Sequence, residues 1–204
     1  MRLVAQDLSG ERAGEPVFEG LDIAVGSGQC LVVTGENGSG KSTLLRILAG
    51  LLAPATGSVR LEGGGDEWPD LAAACHHLGE KNAMKPALTV AENLAFRRDF
   101  LGKPFLTVEE ALDEVGLPTV AGLPFGYLST GQRRRVAIAK LLVSYRPVWL
   151  LDEPTAGLDK ASERQFAALM RAHLEDGGII VAATHLPLGL EGAQELRMGN
   201  RPPC

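Results

Sequence analysis

The stretch GENGSGKST, Gly35–Thr43, constrains this chain more than any other. It follows CLVVTG, a β-branched apolar run over 30–35 that reads as a short buried strand stopped by a glycine. It runs into KSTLLRILAGLL, where leucine and isoleucine recur at helical spacing. Strand, glycine loop and helix in that order are the context that the pattern GxxxxGK[ST] requires. Gly35, Gly38 and Gly40 free the backbone to turn its N–H groups inward around phosphate oxygens, and the helix N-terminus adds a field that favours anions. Lys41 can reach the β- and γ-phosphates of a nucleotide, and the Ser42 hydroxyl can ligate Mg²⁺. A glycine turn built without a ligand would need neither side chain.

Beyond the loop, strands alternate with helices. GSVRLEG (57–63) reads as a strand running into the glycine cluster 63–65, and LAAACHHLGE (71–80) as another. Thr89-Val90-Ala91-Glu92 and Thr107-Val108-Glu109-Glu110 have capping-box spacing and open two helices, the second stopped at Gly116. A third helix is predicted from Ser129 to about Ser144. VWLLDE (148–153) is a strand with a polar end, SERQFAALMRAHLED (162–176) an amphipathic helix stopped by Gly177 and Gly178, and IIVAATH (179–185) one more strand. The pattern predicts an α/β fold with a parallel-sheet core and a helical insertion, as one domain over 1–204. The core would take approximately 1–81 and 146–204, the helical part approximately 82–145, and the final RPPC reads as a frayed tail.

VWLLDE ends in Asp152 and Glu153, at the sheet edge where nucleotides bind in such folds. Asp152 would hold Mg²⁺, through water, and Glu153 would activate the attacking water as general base. Alone, such a pair would be an ordinary surface feature; beside a phosphate loop it is not. His185 closes IIVAATH at the same edge, where it can contact the terminal phosphate and orient the water. His173, alone on its amphipathic helix, gets no role. CHH at 75–77 invites a metal or haem, but neighbours on a strand point to opposite faces and cannot converge on one ion. It reads as strand packing with an exposed tip.

A second polar glycine turn, LSTGQRRR (128–135), opens the third helix. With it, the chain resembles the nucleotide-binding domains of ABC transporters over nearly its whole length. GENGSGKST resembles the Walker A loop and LSTGQ the ABC signature. VWLLDEPTAGLD (148–159) resembles the Walker B strand running into the D-loop, with Asp159 at its end, and His185 the switch histidine. The resemblance implies a P-loop NTPase (RecA-like) core with a parallel sheet, an ABC-type helical subdomain and an N-terminal antiparallel β region. It implies ATP and Mg²⁺, with Gly35, Glu36, Asn37, Gly38, Ser39, Gly40, Lys41, Ser42 and Thr43 as the ATP cradle, Ser42 and Asp152 at the metal, and Glu153 as catalytic base.

The resemblance also implies a use for the second turn. Ser129, Thr130, Gly131 and Gln132 would face the nucleotide of a partner subunit, with Ser129 and the Gly131 N–H on the γ-phosphate held by the other chain's Lys41. Two head-to-tail chains would then complete two sites, and ATP would favour the closed homodimer. Of the arginines, Arg134 reads as a solvated helix face, while Arg133 and Arg135 would help to position the signature helix.

Three positions depart from the family pattern. Thr130 stands where the signature usually has glycine. Lys81 stands at the usual Mg²⁺-sensing glutamine, and as a cation it would meet phosphate or an acidic partner residue instead. Arg12 takes the place of the aromatic that stacks on adenine, and its guanidinium would stack on the base. Phe18, the nearest aromatic, reads as core.

Within the family, the short chain, THLPL after the histidine, KPALTVAENL and STGQRRRVAIAKLL resemble the ATPases of bacterial cytochrome c maturation, the CcmA family. That resemblance implies cytochrome c biogenesis, an assigned role in haem export, a CcmB-like integral membrane partner, and a peripheral place on the cytoplasmic side of the inner membrane. A net charge of −5 argues against a nucleic-acid partner. MRLVAQDLSGE has no apolar signal-peptide region, and no apolar stretch approaches the roughly 20 residues of a membrane span. Three cysteines without CxxC spacing favour a reducing compartment over a disulfide framework. The alternative is a soluble non-transport ABC ATPase, such as one serving iron–sulfur assembly. The signature and the carboxylate–histidine pair weigh against a small P-loop kinase.

Overall fold

Two sheets and one helix build the region around the phosphate loop in the computed structural model, which describes residues 1–199. The tail RPPC and its Cys204 lie outside the described residues. Strand β1 (Arg2–Arg12) pairs antiparallel with β2 (Glu15–Gly26) and with β4 (Thr56–Glu62), in the order β2-β1-β4. Ala13 and Gly14 join β1 to β2 with φ of 53° and 82°, the left-handed pair that a two-residue hairpin needs. This is the antiparallel region expected at the N-terminus.

The second sheet is parallel throughout, in the order β5-β6-β7-β3-β8. Its strands are β3 (Cys30–Thr34), β5 (Cys75–Leu78), β6 (Val148–Asp152), β7 (Ile179–Ala183) and β8 (Gln194–Arg197). Every residue of β6 and β7 is buried, which is why both read as unbroken apolar runs. Helix α1 (Lys41–Leu48) joins the two sheets. Its Leu44, Leu45, Ile47 and Leu48 share one core with Leu3 and Leu8 of β1 and with Leu31, Leu150 and Val181 of the parallel sheet, and Phe18 packs against it.

The stretch 71–80 is half helix. Asp70 accepts a hydrogen bond from Ala73 N at 2.8 Å and caps one turn, α2 (Leu71–Ala74), before β5 begins at Cys75. Three successive alanines favour that turn over a strand. The exposed tip expected at CHH is absent, since Cys75 and His76 are buried and His77 is half-buried against β6. Cys30 and Cys75 are buried and outside any disulfide among the described residues, and burial pushes the Cys30 thiol up to about 12.

His173 has a structural role. Its ring stacks on Trp149 at 4.0 Å between centroids, and burial pushes its pKa down from 6.5 to about 4. The unfolded chain binds that proton more readily, so the stabilisation is complete above pH 6.5 and disappears as pH falls toward about 4. The shift corresponds to roughly 3 kcal/mol. Urea unfolding at pH 7 and pH 4.5 should show this loss, and His173→Phe should reduce it.

The chain divides by its contacts into two units: Met1–Gly79, Pro147–Pro154 and the segment from Met170 form the first, Glu80–Arg146 and Thr155–Leu169 the second. The second is helical, with α3 (Val90–Leu101), α4 (Val108–Glu114), a 3-10 turn (Phe125–Tyr127), α5 (Thr130–Leu142) and the start of α6 (Lys160–Glu175). Both expected capping boxes form, at Thr89–Glu92 and Thr107–Glu110.

Arg134 is not on a solvated face. It is 5% exposed, because α5 packs against both α3 and α4 and its flank turns inward. Lys140 on the same helix is equally buried, and burial, with Arg97 and Arg134 nearby, pushes its pKa down to about 8. Arg135 donates to the Gly116 carbonyl at 3.0 Å, just past α4, a favoured place for a cation. Arg133 donates to the Gly126 carbonyl of the 3-10 turn and lies over the Phe125 ring. Both contacts fix α5 against its neighbours, as expected.

Candidate nucleotide-binding and hydrolysis site

The phosphate loop leaves β3 and enters α1 without a side-chain cap. Gly35, Gly38 and Gly40 have φ of 141°, 88° and 93°, conformations that a side chain would strain. At Gly35 a Cβ would lie 2.5 Å from the Met198 carbonyl oxygen and 2.8 Å from Ser39 Oγ. Gly40 is the N-cap of α1 and no side chain caps that end, so its first N–H groups remain for an anion. Ser39 Oγ is buried without a hydrogen-bond partner among the described residues. Lys41 is 8% exposed, and its ammonium donates to the carbonyls of Gly35 at 2.7 Å and Glu36 at 2.9 Å. An orphaned hydroxyl, an uncapped helix end and a lysine folded over the loop fit a polyphosphate.

A cavity of about 180 Å³ opens there, lined by Asn37, Gly38, Gly40, Lys41, Ser42, Thr43, Asp152, Glu153, Val17 and Arg12. The hydroxyl of Ser42 and the carboxylate of Asp152 are hard oxygen donors of the kind Mg²⁺ takes together with water. Arg12, the last residue of β1, lines this cavity, as does Val17, which the motifs did not flag. Among the described residues no aromatic side chain lines it.

Glu153 follows β6 with a φ of 43°, a conformation that costs a non-glycine residue on the order of 1–3 kcal/mol. Its N–H donates to the Ala183 carbonyl at 2.8 Å, so the end of β7 holds the turn in place. Past β7, Thr184 Oγ1 accepts from Leu186 N at 3.0 Å and turns the chain so that His185 stands out, 69% exposed at its side chain. Glu153 Oε1 and His185 Nδ1 are 3.1 Å apart. With Glu153 ionised, Nδ1–H donates to it and Nε2 is left for another partner. His185 also lines a hollow of about 600 Å³ with Gly35 and Glu36.

The helical unit carries the second glycine turn. Ser129 is the N-cap of α5: its hydroxyl accepts from Gln132 N at 3.2 Å, and Gln132 Oε1 accepts from Ser129 N at 2.9 Å. Ser129 and Thr130 are exposed. A Cβ on Gly131 would come within 3.3 Å of the Gly157 carbonyl oxygen, so glycine lets α5 and the segment after β6 approach closely. Asp159 caps α6, accepting from Ser162 N at 2.8 Å, a bond that holds its carboxyl below the usual range. Lys81 lies in an exposed loop of this unit. The first unit therefore gathers the phosphate loop, Arg12, Asp152, Glu153 and His185, while Ser129–Gln132, Asp159 and Lys81 belong to the second.

The sequence profile of the ABC transporter family matches residues 18–156. The chain belongs to the ABC transporter family. An ABC protein of Chelativorans sp., a cytochrome c biogenesis ATP-binding export protein CcmA, is 69% identical over 199 residues, 98% of each chain. The protein of the same name from Mesorhizobium japonicum is also 69% identical over 98% of each chain. Among solved ABC structures, a putative ABC transporter ATP-binding protein from Pyrococcus furiosus superposes with a TM-score of 0.82 over 97% of this chain and 98% of that one, at 23% identity. A dimeric ATP-binding cassette in a post-hydrolysis state, bound to ADP and Pi, superposes with a TM-score of 0.78 at 26% identity, over 90% of this chain and 88% of that one. The α/β cassette fold and the activity class, an ATP-hydrolysing ABC subunit, follow from this membership.

Proposed function

We propose that the chain is the ATP-hydrolysing subunit of an exporter in cytochrome c biogenesis, and that two copies close head to tail on ATP. The Glu153–His185 pair at 3.1 Å, in the same unit as an uncapped phosphate loop, carries the proposal. Lys41 and the N–H groups of Gly38–Thr43 bind the triphosphate. Glu153 takes the proton of the attacking water, and His185 holds that carboxylate in place. Bound at Ser42 and Asp152, Mg²⁺ would neutralise charge on the phosphates. Arg12 stacks on the base. Ser129 and Gly131 complete the site of the partner subunit, and Lys81 meets phosphate or an acidic partner group. The whole chain acts as one cassette, with Glu80–Arg146 as the core of its helical part.

The partner to be driven is an integral membrane subunit of CcmB type, which places the cassette at the cytoplasmic face of the inner membrane. No described helix is long and apolar enough to cross a membrane. The helical unit does expose Phe96 (61%) and Phe100 (74%), stacked at 6.0 Å on α3, with Phe105 just beyond. Exposed apolar surface of this kind marks an interaction site, and the relatives' name as export proteins supports a membrane subunit as its occupant. Co-expression with that subunit should bring the chain into the membrane fraction. Phe96→Ser/Phe100→Ser should reduce recovery there several-fold without changing basal ATPase activity. Recovery with soluble iron–sulfur proteins, indifferent to the membrane subunit, would favour the other class.

A further inference from the structure

Tyr127 is the most exposed large hydrophobic residue described, at 84%. Yet its backbone is firmly held. Tyr127 N donates to the Pro124 carbonyl at 2.9 Å, Phe125 N to Leu88 O at 2.9 Å and Gly126 N to Pro86 O at 2.9 Å, and Arg133 grips the Gly126 carbonyl. A rigid pedestal presenting an unused aromatic ring is costly to expose and well suited to receive a flat partner. Leu128 (φ −73°, ψ 148°) and Ser129 (φ −63°, ψ 163°) are extended, so Tyr127 and Ser129 lie about 7 Å apart along one edge. The nucleotide cavity has the opposite deficit: Arg12 and Val17 line it, and no described aromatic does.

We infer that Tyr127 stacks on the base of the nucleotide held by the partner subunit, while Ser129 reaches that nucleotide's terminal phosphate. The ligand is a purine nucleoside triphosphate gripped from both chains, by the guanidinium of Arg12 on one and the phenol of Tyr127 on the other. Half of base recognition is then absent from an isolated chain and appears only on closure. This rests on the head-to-tail pairing proposed above.

The test uses Glu153→Gln protein, with ATP-dependent dimerisation followed by light scattering. Tyr127→Ala in that background should raise the half-saturating ATP concentration about tenfold, and Tyr127→Phe should leave it nearly unchanged. The triphosphate of 2-aminopurine riboside should lose fluorescence as dimers form, less so with Tyr127→Ala and fully with Tyr127→Phe. Unchanged ATP dependence, or equal quenching in Tyr127→Ala, would overturn the assignment while leaving the pairing intact. If the Glu153→Gln parent stays monomeric with ATP, the pairing itself fails and the assignment with it.

Discussion

Glu153→Gln should lower ATP turnover by at least about a hundredfold, the usual contribution of a positioned general base, while ATP still binds. The amide keeps the size of the carboxylate and accepts from His185 Nδ1 through its oxygen, so the 3.1 Å contact can persist. What it cannot do is take a proton from water. Because the left-handed turn at Glu153 is set by its backbone bond to Ala183, the substitution should not move the chain. Bound ATP should therefore accumulate in the closed pair, which light scattering would read as a doubling of mass. Turnover close to wild type would remove Glu153 from the chemistry.

The second large effect is expected at the two halves of the divided site. Lys41 is buried and donates to two loop carbonyls. Its exchange for Ala removes a cation whose charge-assisted bonds have no substitute, and ATP affinity in a filter-binding assay should fall on the order of a hundredfold. Gly131→Asp acts elsewhere. Its Cβ would press on the Gly157 carbonyl, and its carboxylate would face a triphosphate, so dimerisation should be lost while binding to the single chain survives. A Gly131→Asp chain that fails to bind ATP alone would mean that the signature turn serves its own nucleotide.

Contiguous motifs made much of this legible in the sequence. The phosphate loop, the carboxylates ending β6 and the two threonine capping boxes are each set by residues a few positions apart, and local chemistry decides them. What pairs across the fold was less visible. Nothing near Glu153 in the chain gives its left-handed backbone or its distance from His185, since both come from β6 and β7 lying side by side. Arg134 looked solvated because its neighbours are arginines, and only the packing of α5 between α3 and α4 buries it. β8 is too short and polar to signal a strand by itself; it forms because β3 offers an edge. Tyr127 belongs to no motif, and only its exposure on a fixed turn sets it apart.

Mixing two inactive chains tests the shared site most directly. In a Glu153→Gln background, Lys41→Ala chains keep an intact signature turn and Gly131→Asp chains keep an intact phosphate loop. Neither homodimer contains a complete site, whereas the mixed dimer contains one. Labelled ATP should be retained by dimers only after mixing, at one nucleotide per mixed pair. Retention in a dimer of either variant alone, or none after mixing while the Glu153→Gln parent retains it, would contradict a site shared head to tail between subunits.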